Sequence, residues 1–310
     1  MATSTTIDLS QLPPPDAVEP LDYEEILQQR QARAIALFAS EDQDAVRRTL
    51  ALESEPMTIL LQENAERELI LRQRVNEAVR AVLLAHARGK DLENIAAEYH
   101  VARLVITPED TSTTPPTPAV LEDDHSLMLR AQEAWEGLST AGPRQAYEFH
   151  ARSAHGRIAD ASAISPEPCD ILVSVLSRDG DGTAADELLQ AVRLALSEED
   201  IRPLGDRVMV QASQIEPYEV RAVLYMKGQG PGREQALAAA RRACELYVYR
   251  DRRQGVSVWR SAINAALHVE GINHLDLQEP AENLVLSKTQ AGTCTGITLE
   301  VRDVEPTPDA

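Results

Sequence analysis

One long stretch of helical pattern, residues 55–88, constrains this chain more than any other feature. Ser54 followed by Pro56 is typical of a helix N-terminus, and Gly89 is the first residue that would end the helix. At ~1.5 Å per residue, such a helix would be roughly 50 Å long. Its apolar residues recur at spacings of three and four, and the stripe consists of Met57, Leu60, Leu61, Leu71, Val75, Ala78, Val79 and Val82.

Further apolar residues widen this stripe beyond one face of the predicted helix, namely Ile59, Leu69, Ile70, Leu83 and Leu84. A helix that is apolar on more than one side needs several neighbours. Two shorter helices, predicted to begin near Asp22 and Ser40, are too short to cover it alone. Two interpretations stay open: an intramolecular three-helix bundle, and an intersubunit bundle in which helices of other chains share the core.

The remaining segments differ in composition and in the period of their apolar residues. Thr- and Pro-rich residues 107–120 predict a stiff, extended linker, and two further helices follow it. Alternating patterns after residue 155 predict strands interspersed with helices. The predicted fold class is α+β, with an N-terminal long-helix bundle segment, a Thr/Pro linker and helical region, and two small α+β subdomains.

This organisation gives six predicted segments. An extended tail comes first, a helical core-bundle region second, and the linker with its helices third. Two α+β subdomains and a disordered acidic tail complete the chain. The predicted bounds, in the same order, are residues 1–20, 21–106, 107–154, 155–228, 229–302 and 303–310.

Charge and cysteine content narrow the classes of partner and compartment. The chain of 310 residues has 50 acidic and 30 basic residues, for a formal net charge of -20. Such a balance argues against binding to nucleic acid or to an anionic membrane surface. Three sparse cysteines, without a CxxC pair, favour synthesis in a reducing cytoplasm, and we expect neither a signal peptide nor a membrane span.

Motifs that could support chemistry are weak. Asp179-Gly-Asp-Gly-Thr183 resembles a calcium loop, but Gln190 stands where a bidentate Glu is needed, so we predict a turn with Thr183 as a helix N-cap. Gly228-Gln-Gly-Pro-Gly232 lacks the Lys-Ser/Thr of a phosphate loop and predicts a flexible turn. His150 and His155 are five residues apart, whereas ligands on one helix face are three or four apart.

The three cysteines lie in or beside apolar segments, which predicts buried, inert thiols at Cys169, Cys244 and Cys294. We therefore predict no catalytic, cofactor-binding or metal-binding residue, and no cofactor. A basic cluster near the end of a helix has two interpretations. It complements the helix dipole, or it is a docking patch for an acidic neighbour, formed by Arg250, Arg252 and Arg253.

Taken together, long segments in order resemble the baseplate J-like proteins of contractile-tail phages and R-type pyocins. The resemblance runs from Ile7 to about Glu300. The segments that carry it include IDLSQLPPPDAVEPLDYEEIL, LESEPMTILLQENAERELILRQRVNEA, AGPRQAYEFHARSAHGRIADASAIS, SVLSRDGDGTA, IRPLGDRVMVQ, INAALHVEGINHLDLQEP and LSKTQAGTC.

This resemblance implies structural work in a phage or pyocin particle rather than catalysis. Two copies of the chain would join one smaller wedge protein in a triplex, with the long helices packed as a core bundle. The chains would diverge at a trifurcation region into wings. Paired wings of neighbouring wedges would close a sixfold ring around the central spike and hub. The sheath initiator would dock near the bundle, and opening of the ring would be linked to sheath contraction.

Two copies in unlike positions need an adaptable joint, for which residues 107–120 are the predicted place. Two other functions stay open from the residues alone. One is a hydrolase with a site between the α+β subdomains, and the other is an acidic adaptor that binds a basic protein. The apolar stripe distinguishes an assembly protein from these two alternatives. Only an intersubunit bundle requires the stripe to lie at the surface of the single chain.

Overall fold

The structure, a computed structural model, describes Leu9 and residues 12–13, 15, 17–139, 142–198, 201–226 and 231–304. The chain divides into two compact units, residues 1–100 and 101–310. Most of the predicted tail at residues 1–20, most of the tail at 303–310 and most of the Gly228–Gly232 turn lie outside the described residues.

The first unit is helical. Asp22 begins its first helix as predicted, because the Asp22 carboxylate accepts the N–H of Glu25. This first helix packs along the third, which is the longest. The four helices are α1 (Tyr23–Ala36), α2 (Gln43–Leu50), α3 (Pro56–Ala81) and α4 (Gly89–Glu98).

Helix α3 ends at Ala81, so the predicted extension to Arg88 is wrong. The carbonyl of Leu83 accepts the N–H groups of both His86 and Ala87, which forms a tight turn, and Ala87 is buried there. Neither Gly nor Pro marks this end, so the sequence carries no local signal for it. With 26 residues, α3 is about 39 Å long at ~1.5 Å per residue.

The second unit begins with a short hairpin instead of the extended linker predicted from composition. Strands β1 (Val105–Thr107) and β2 (Val120–Leu121) pair antiparallel, and Asp110 exchanges two backbone hydrogen bonds with Thr117. The Asp110 carboxylate accepts from the backbone and hydroxyl of Ser112. Polar side chains of this segment thus close a turn that a polyproline-like spacer would lack.

A mixed three-stranded sheet follows helices α5 (Asp124–Gly137) and α6 (Arg144–Ser153). Its order is β3-β4-β5; β3 and β4 are antiparallel, and β4 and β5 are parallel. Side chains of α6 and α7 pack on one face around the buried Val173 and Val175. The elements are β3 (Ile158–Ile164), β4 (Asp170–Ser177), α7 (Asp186–Ala195) and β5 (Arg207–Ala212).

The second sheet has the order β7-β6-β8, with β6 antiparallel to β7 and parallel to β8. Helices α8 and α9 cover one face, over a core that contains Leu224, Ala240 and Ile263. The elements are β6 (Gln214–Met226), α8 (Pro231–Asp251), α9 (Arg260–Leu267), β7 (Ile272–Glu279) and β8 (Gln290–Asp303). Strand β6, predicted to end the first subdomain, thus belongs to the second sheet, and the change of sheet falls at Ser213.

These two sheets with their helices, after an all-helical segment, confirm the predicted α+β class. Within the described ranges, no helix combines the length and apolar character that crossing a membrane requires.

Candidate assembly surfaces

The apolar stripe of α3 lies largely at the surface of the first unit. Side-chain exposure is 38% for Met57, 60% for Leu60 and Leu71, 51% for Val75 and 73% for Val82. Ala78 is also exposed, and Leu61 and Val79 are half-buried. The stripe is therefore a row of large apolar side chains that the described part of this chain leaves mostly uncovered.

The face of α3 that the chain itself covers is small or polar. Its buried residues are Thr58, Ala65 and Asn76. At the border between this face and the stripe, half-buried Glu68 accepts hydrogen bonds from Arg72 at 2.7 Å and from Arg30 of α1 at 2.5 Å. The Arg72 side chain, followed by Arg30, holds the pKa of Glu68 below its ordinary value.

Asn76 fixes the segment that precedes α1. Its amide oxygen accepts the Glu19 N–H at 2.9 Å, and its amide nitrogen donates to the Glu19 carbonyl at 2.8 Å. Arg72 adds an ion pair to the Glu19 carboxylate at 3.2 Å. The buried contacts of α3 within the chain are thus mainly hydrogen bonds and ion pairs, whereas its large apolar residues face outward.

The outward stripe has one polar interruption. Asn64 and Glu68 continue the three- and four-residue spacing between Leu61 and Leu71. They divide the stripe into an N-terminal apolar part, around Leu60, and a C-terminal part, around Val75. Interruptions of this kind are typical of helical seams that select a partner alignment.

The three residues of the predicted docking patch, Arg250, Arg252 and Arg253, differ in their surroundings. Arg250 is exposed at the end of α8. Arg252 donates to the Gly180 carbonyl at 2.9 Å, and Arg253 lines a polar cavity of about 30 Å³ beside Glu133 and Asp160. Arg252 thus has a partner in the turn after β4, whereas Arg250 and Arg253 are exposed.

A buried ionic cluster around that cavity joins α5, α6 and β3. Arg152 of α6 bonds Glu133 of α5 at 2.5 Å and Asp160 of β3 at 3.1 Å. Burial raises the pKa of Glu133 despite Arg152. Asp160 also accepts the backbone N–H of Gln254 at 3.0 Å, which ties the connection between α8 and α9 to the first sheet.

A second buried pair anchors the hairpin. Arg130 of α5 contacts Glu122 at 2.7 Å and donates to the Ala102 carbonyl at 2.6 Å. Side chains of both charged residues are almost fully buried, so each depends on the other. Charged residues in an amphipathic helix are ordinarily solvated, so no sequence signal identifies this pair.

The motifs considered for chemistry have structural contacts. Asp179 pairs with Arg157 at 2.7 Å, and Asp181 accepts the Thr183 N–H. The prediction that Thr183 caps the following helix is wrong, because α7 begins at Asp186 and its N-cap residue is Ala185. In the residues that the structure covers, no group of three or more potential metal-binding side chains occurs.

The structure also shows the contacts of two histidines and the burial of two cysteines. His150 contacts the Gly137 carbonyl at 3.0 Å, and the His155 ring accepts the Arg157 N–H. Cys244 is buried, and burial raises its pKa to about 11, which suits an inert thiol. Cys169 is exposed, so the prediction that it is buried is wrong. Its φ of 67° places it in a turn outside the sheet core.

Comparison with known proteins supports the resemblance seen in the segments. The baseplate J-like N-terminal domain matches residues 53–110, and the baseplate J-like central domain matches residues 139–212. The chain is 53% identical to Baseplate protein J of Escherichia phage P2 over 289 residues, which cover 93% of this chain and 95% of that protein. On identity of this extent, the chain belongs to the baseplate J-like family.

Proposed function

We propose that this chain is a structural wedge component of the baseplate of a contractile tail. Two copies and one smaller wedge protein form a triplex through a shared helical bundle. Wedges pair into a sixfold ring around the spike and hub, the sheath initiator docks near the bundle, and rearrangement of the ring accompanies sheath contraction. Family membership supports the baseplate role.

The exposed stripe of α3 is the observation that carries the proposal. Burying apolar side chains is worth about 25 cal/mol per Å² of apolar surface, so helices of other chains that cover Leu60, Leu71 and Val75 would add substantial stability. Polar contacts of Asn76 and Glu68 with Glu19 and α1 leave the apolar side chains of the stripe uncovered. The stripe is therefore available as the intersubunit seam, with Met57, Leu61, Ala78, Val79 and Val82 as its other members.

We place the adaptable joint at the division between the units rather than at residues 107–120. Hydrogen bonds from Arg103 to the Glu122 carbonyl and from Arg130 to the Ala102 carbonyl hold the hairpin in the second unit. Two copies in one particle should then superpose well unit by unit, and less well as whole chains. Superposable whole chains would contradict this placement.

Val75→Asp and Leu71→Asp test the seam. Both side chains are exposed in the single chain, so an Asp there should leave its helical content and unfolding temperature nearly unchanged. In a closed seam, the same charge would be buried without a partner, so the complex with the smaller wedge protein should be lost. Native mass spectrometry of the chain co-produced with the other tail proteins measures this effect.

Gln73→Asp is the matched control, because Gln73 is an exposed residue of the same helix outside the stripe. It should assemble like the unmodified chain. If Val75→Asp unfolds the isolated chain, the stripe is an internal core and the intersubunit bundle is wrong. If all three variants assemble normally, α3 is not the seam.

A further inference from the structure

The two sheets differ in how their outer edges are protected. An edge strand exposes unpaired backbone groups, which readily pair with another chain, and proteins commonly block them. Glu148 accepts the outer Ala163 N–H of β3 at 3.0 Å. Arg193 donates to the Val210 carbonyl of β5 at 3.3 Å, and Arg260 donates to the Leu277 carbonyl of β7 at 2.7 Å. On each of these three edges, a side chain thus occupies one backbone group.

The fourth edge, β8, is covered only at its start. Gly255 donates to the Gln290 carbonyl, and Gln254 bridges to Ala291. Between Gly292 and Asp303, no outward backbone group of β8 has a partner within the described part of the chain. This segment is longer than β5 or β7, and it contains the sequence Ile297-Thr-Leu-Glu-Val-Arg-Asp303.

The hydrogen bonds of β8 fix which residues face outward. The Val304 N–H donates to the Met226 carbonyl of β6, and residues of a parallel strand alternate in the side to which they direct their backbone groups. The backbone groups of Leu299, Val301 and Asp303 therefore point away from β6. An antiparallel partner could exchange two hydrogen bonds directly at Val301.

Charge complementarity indicates which partner would fit. Glu300 and Arg302 lie on the sheet face opposite to α8, 3.3 Å apart, with side chains 53% and 59% exposed. If two β8 strands pair antiparallel about Val301, Glu300 of each copy lies opposite Arg302 of the other. These are the non-hydrogen-bonded positions, where side chains are closest. A twofold interface requires this self-complementarity.

We infer that the open edge of β8 pairs antiparallel with β8 of a second copy of this chain, joining two three-stranded sheets into one continuous sheet. The occupant is another copy because the edge complements itself in both hydrogen bonding and charge. This extends the proposed function by naming a surface, and it rests on that function only for its place in a baseplate. The pairing itself is a property of the chain alone.

Charge exchange at the two positions tests the pairing. The full chain with Val75→Asp serves as background, because that change removes association through α3. Glu300→Arg places Arg opposite Arg302, and Arg302→Glu places Glu opposite Glu300, so each single variant should self-associate about tenfold more weakly, from two mismatched cross-strand pairs. The double variant should return to within about threefold of the background chain. Sedimentation velocity gives the dissociation constants.

A mixture of the two single variants is the most specific test of the pairing. One copy then carries Arg at both positions and the other carries Glu at both, so mixed dimers should form at concentrations where each variant alone is mainly monomeric. Equal association of all variants, or a double variant as weak as the singles, overturns the inference. So does a Val75→Asp chain that never self-associates. A normal assembly phenotype for Val75→Asp would instead overturn the α3 seam, while the β8 series keeps its own outcome.

Discussion

At the scale of single residues, Asn76 has a role that its position in a helix conceals. A buried amide that satisfies both backbone groups of Glu19 holds an extended segment against α3. Asn76 stands in the sequence between Val75 and Glu77, which are both exposed. A polar residue at such a position is not expected to be buried. The contact depends on a segment 57 residues earlier in the chain, which local patterns do not encode.

We expect Asn76→Ala to release the segment around Glu19. Both Glu19 backbone groups lose their partner, and a typical hydrogen bond contributes about 0.5–1.5 kcal/mol to stability. Hydrogen exchange at the Glu19 amide should therefore become faster, while α3 stays helical. Asn64→Ala is the control, because the Asn64 amide only donates to the Leu60 carbonyl of its own helix. Unchanged protection of Glu19 would contradict the clamp.

Glu68 makes stability in the first unit depend on pH. Because its two arginine partners lower its pKa below the unfolded value, the ionised form stabilises the folded state above the ordinary pKa of 4.5. That contribution is lost as pH falls through the lowered, folded-state pKa. Glu68→Gln should therefore reduce the free energy of unfolding by ~0.5–1 kcal/mol near neutral pH, and by progressively less in acid.

Thermal unfolding of both forms, followed by circular dichroism across the acid range, measures this difference. Glu63→Gln provides the reference, because Glu63 is an exposed carboxylate on the same helix. The difference in free energy of unfolding between Glu68→Gln and the parent chain could instead stay constant with pH. That result would show that the ion pairs with Arg30 and Arg72 do not cause the difference.

At the scale of elements, the sequence predicts some helix starts and misses others. Asp22 caps α1 as its spacing to Glu25 predicts, whereas Thr183 does not cap α7. The end of α3 lies at a turn without Gly or Pro, and residues 107–120 fold back through pairing of Asp110 with Thr117. Composition alone therefore predicts a spacer where the chain folds back into a hairpin.

Gly156 shows how closely that hairpin packs. A Cβ added at Gly156 would lie 2.2 Å from the Val105 carbonyl oxygen, which is a backbone atom and has little freedom to move. Gly156→Ala should displace β1 and destabilise the second unit by about 1–3 kcal/mol. Amide exchange at Asp110 and Thr117 measures the loosening of the hairpin.

Gly205→Ala is the matched control, because no heavy atom lies within 4 Å of its added Cβ. Equal exchange rates in both variants would mean that the hairpin is not held against residue 156. The same comparison separates a docked hairpin from a free linker, since a free linker would be indifferent to both substitutions.

At the scale of the whole molecule, net charge opposes the association of many copies. With -20 on each chain, copies repel one another at low ionic strength. Salt shortens the screening length from ~10 Å at 0.1 M to ~3 Å at 1 M, whereas the burial of the α3 stripe is insensitive to this screening. Assembly should therefore increase as sodium chloride is raised over this range.

Light scattering or sedimentation of the co-produced complex follows that dependence, with sucrose of matched osmolality as the control. A decrease in assembly with salt would mean that ion pairs between chains outweigh the general repulsion.

The α+β class follows from the sequence because the period of the apolar residues changes after residue 155. The division of the sheets at Ser213 does not, because it depends on which strand β6 pairs with.

The polar interruption at Asn64 and Glu68 restricts how α3 can slide along a like helix. A shift of one helical repeat, about seven residues, would carry Glu68 to the level of a Leu61 or a Val75 on the other copy. Such a shift would place this carboxylate, together with its partners Arg30 and Arg72 of the same chain, opposite apolar side chains of the other copy. A helix with an unbroken apolar stripe would tolerate several alignments, so these two polar residues make one longitudinal alignment of the copies preferable to its neighbours.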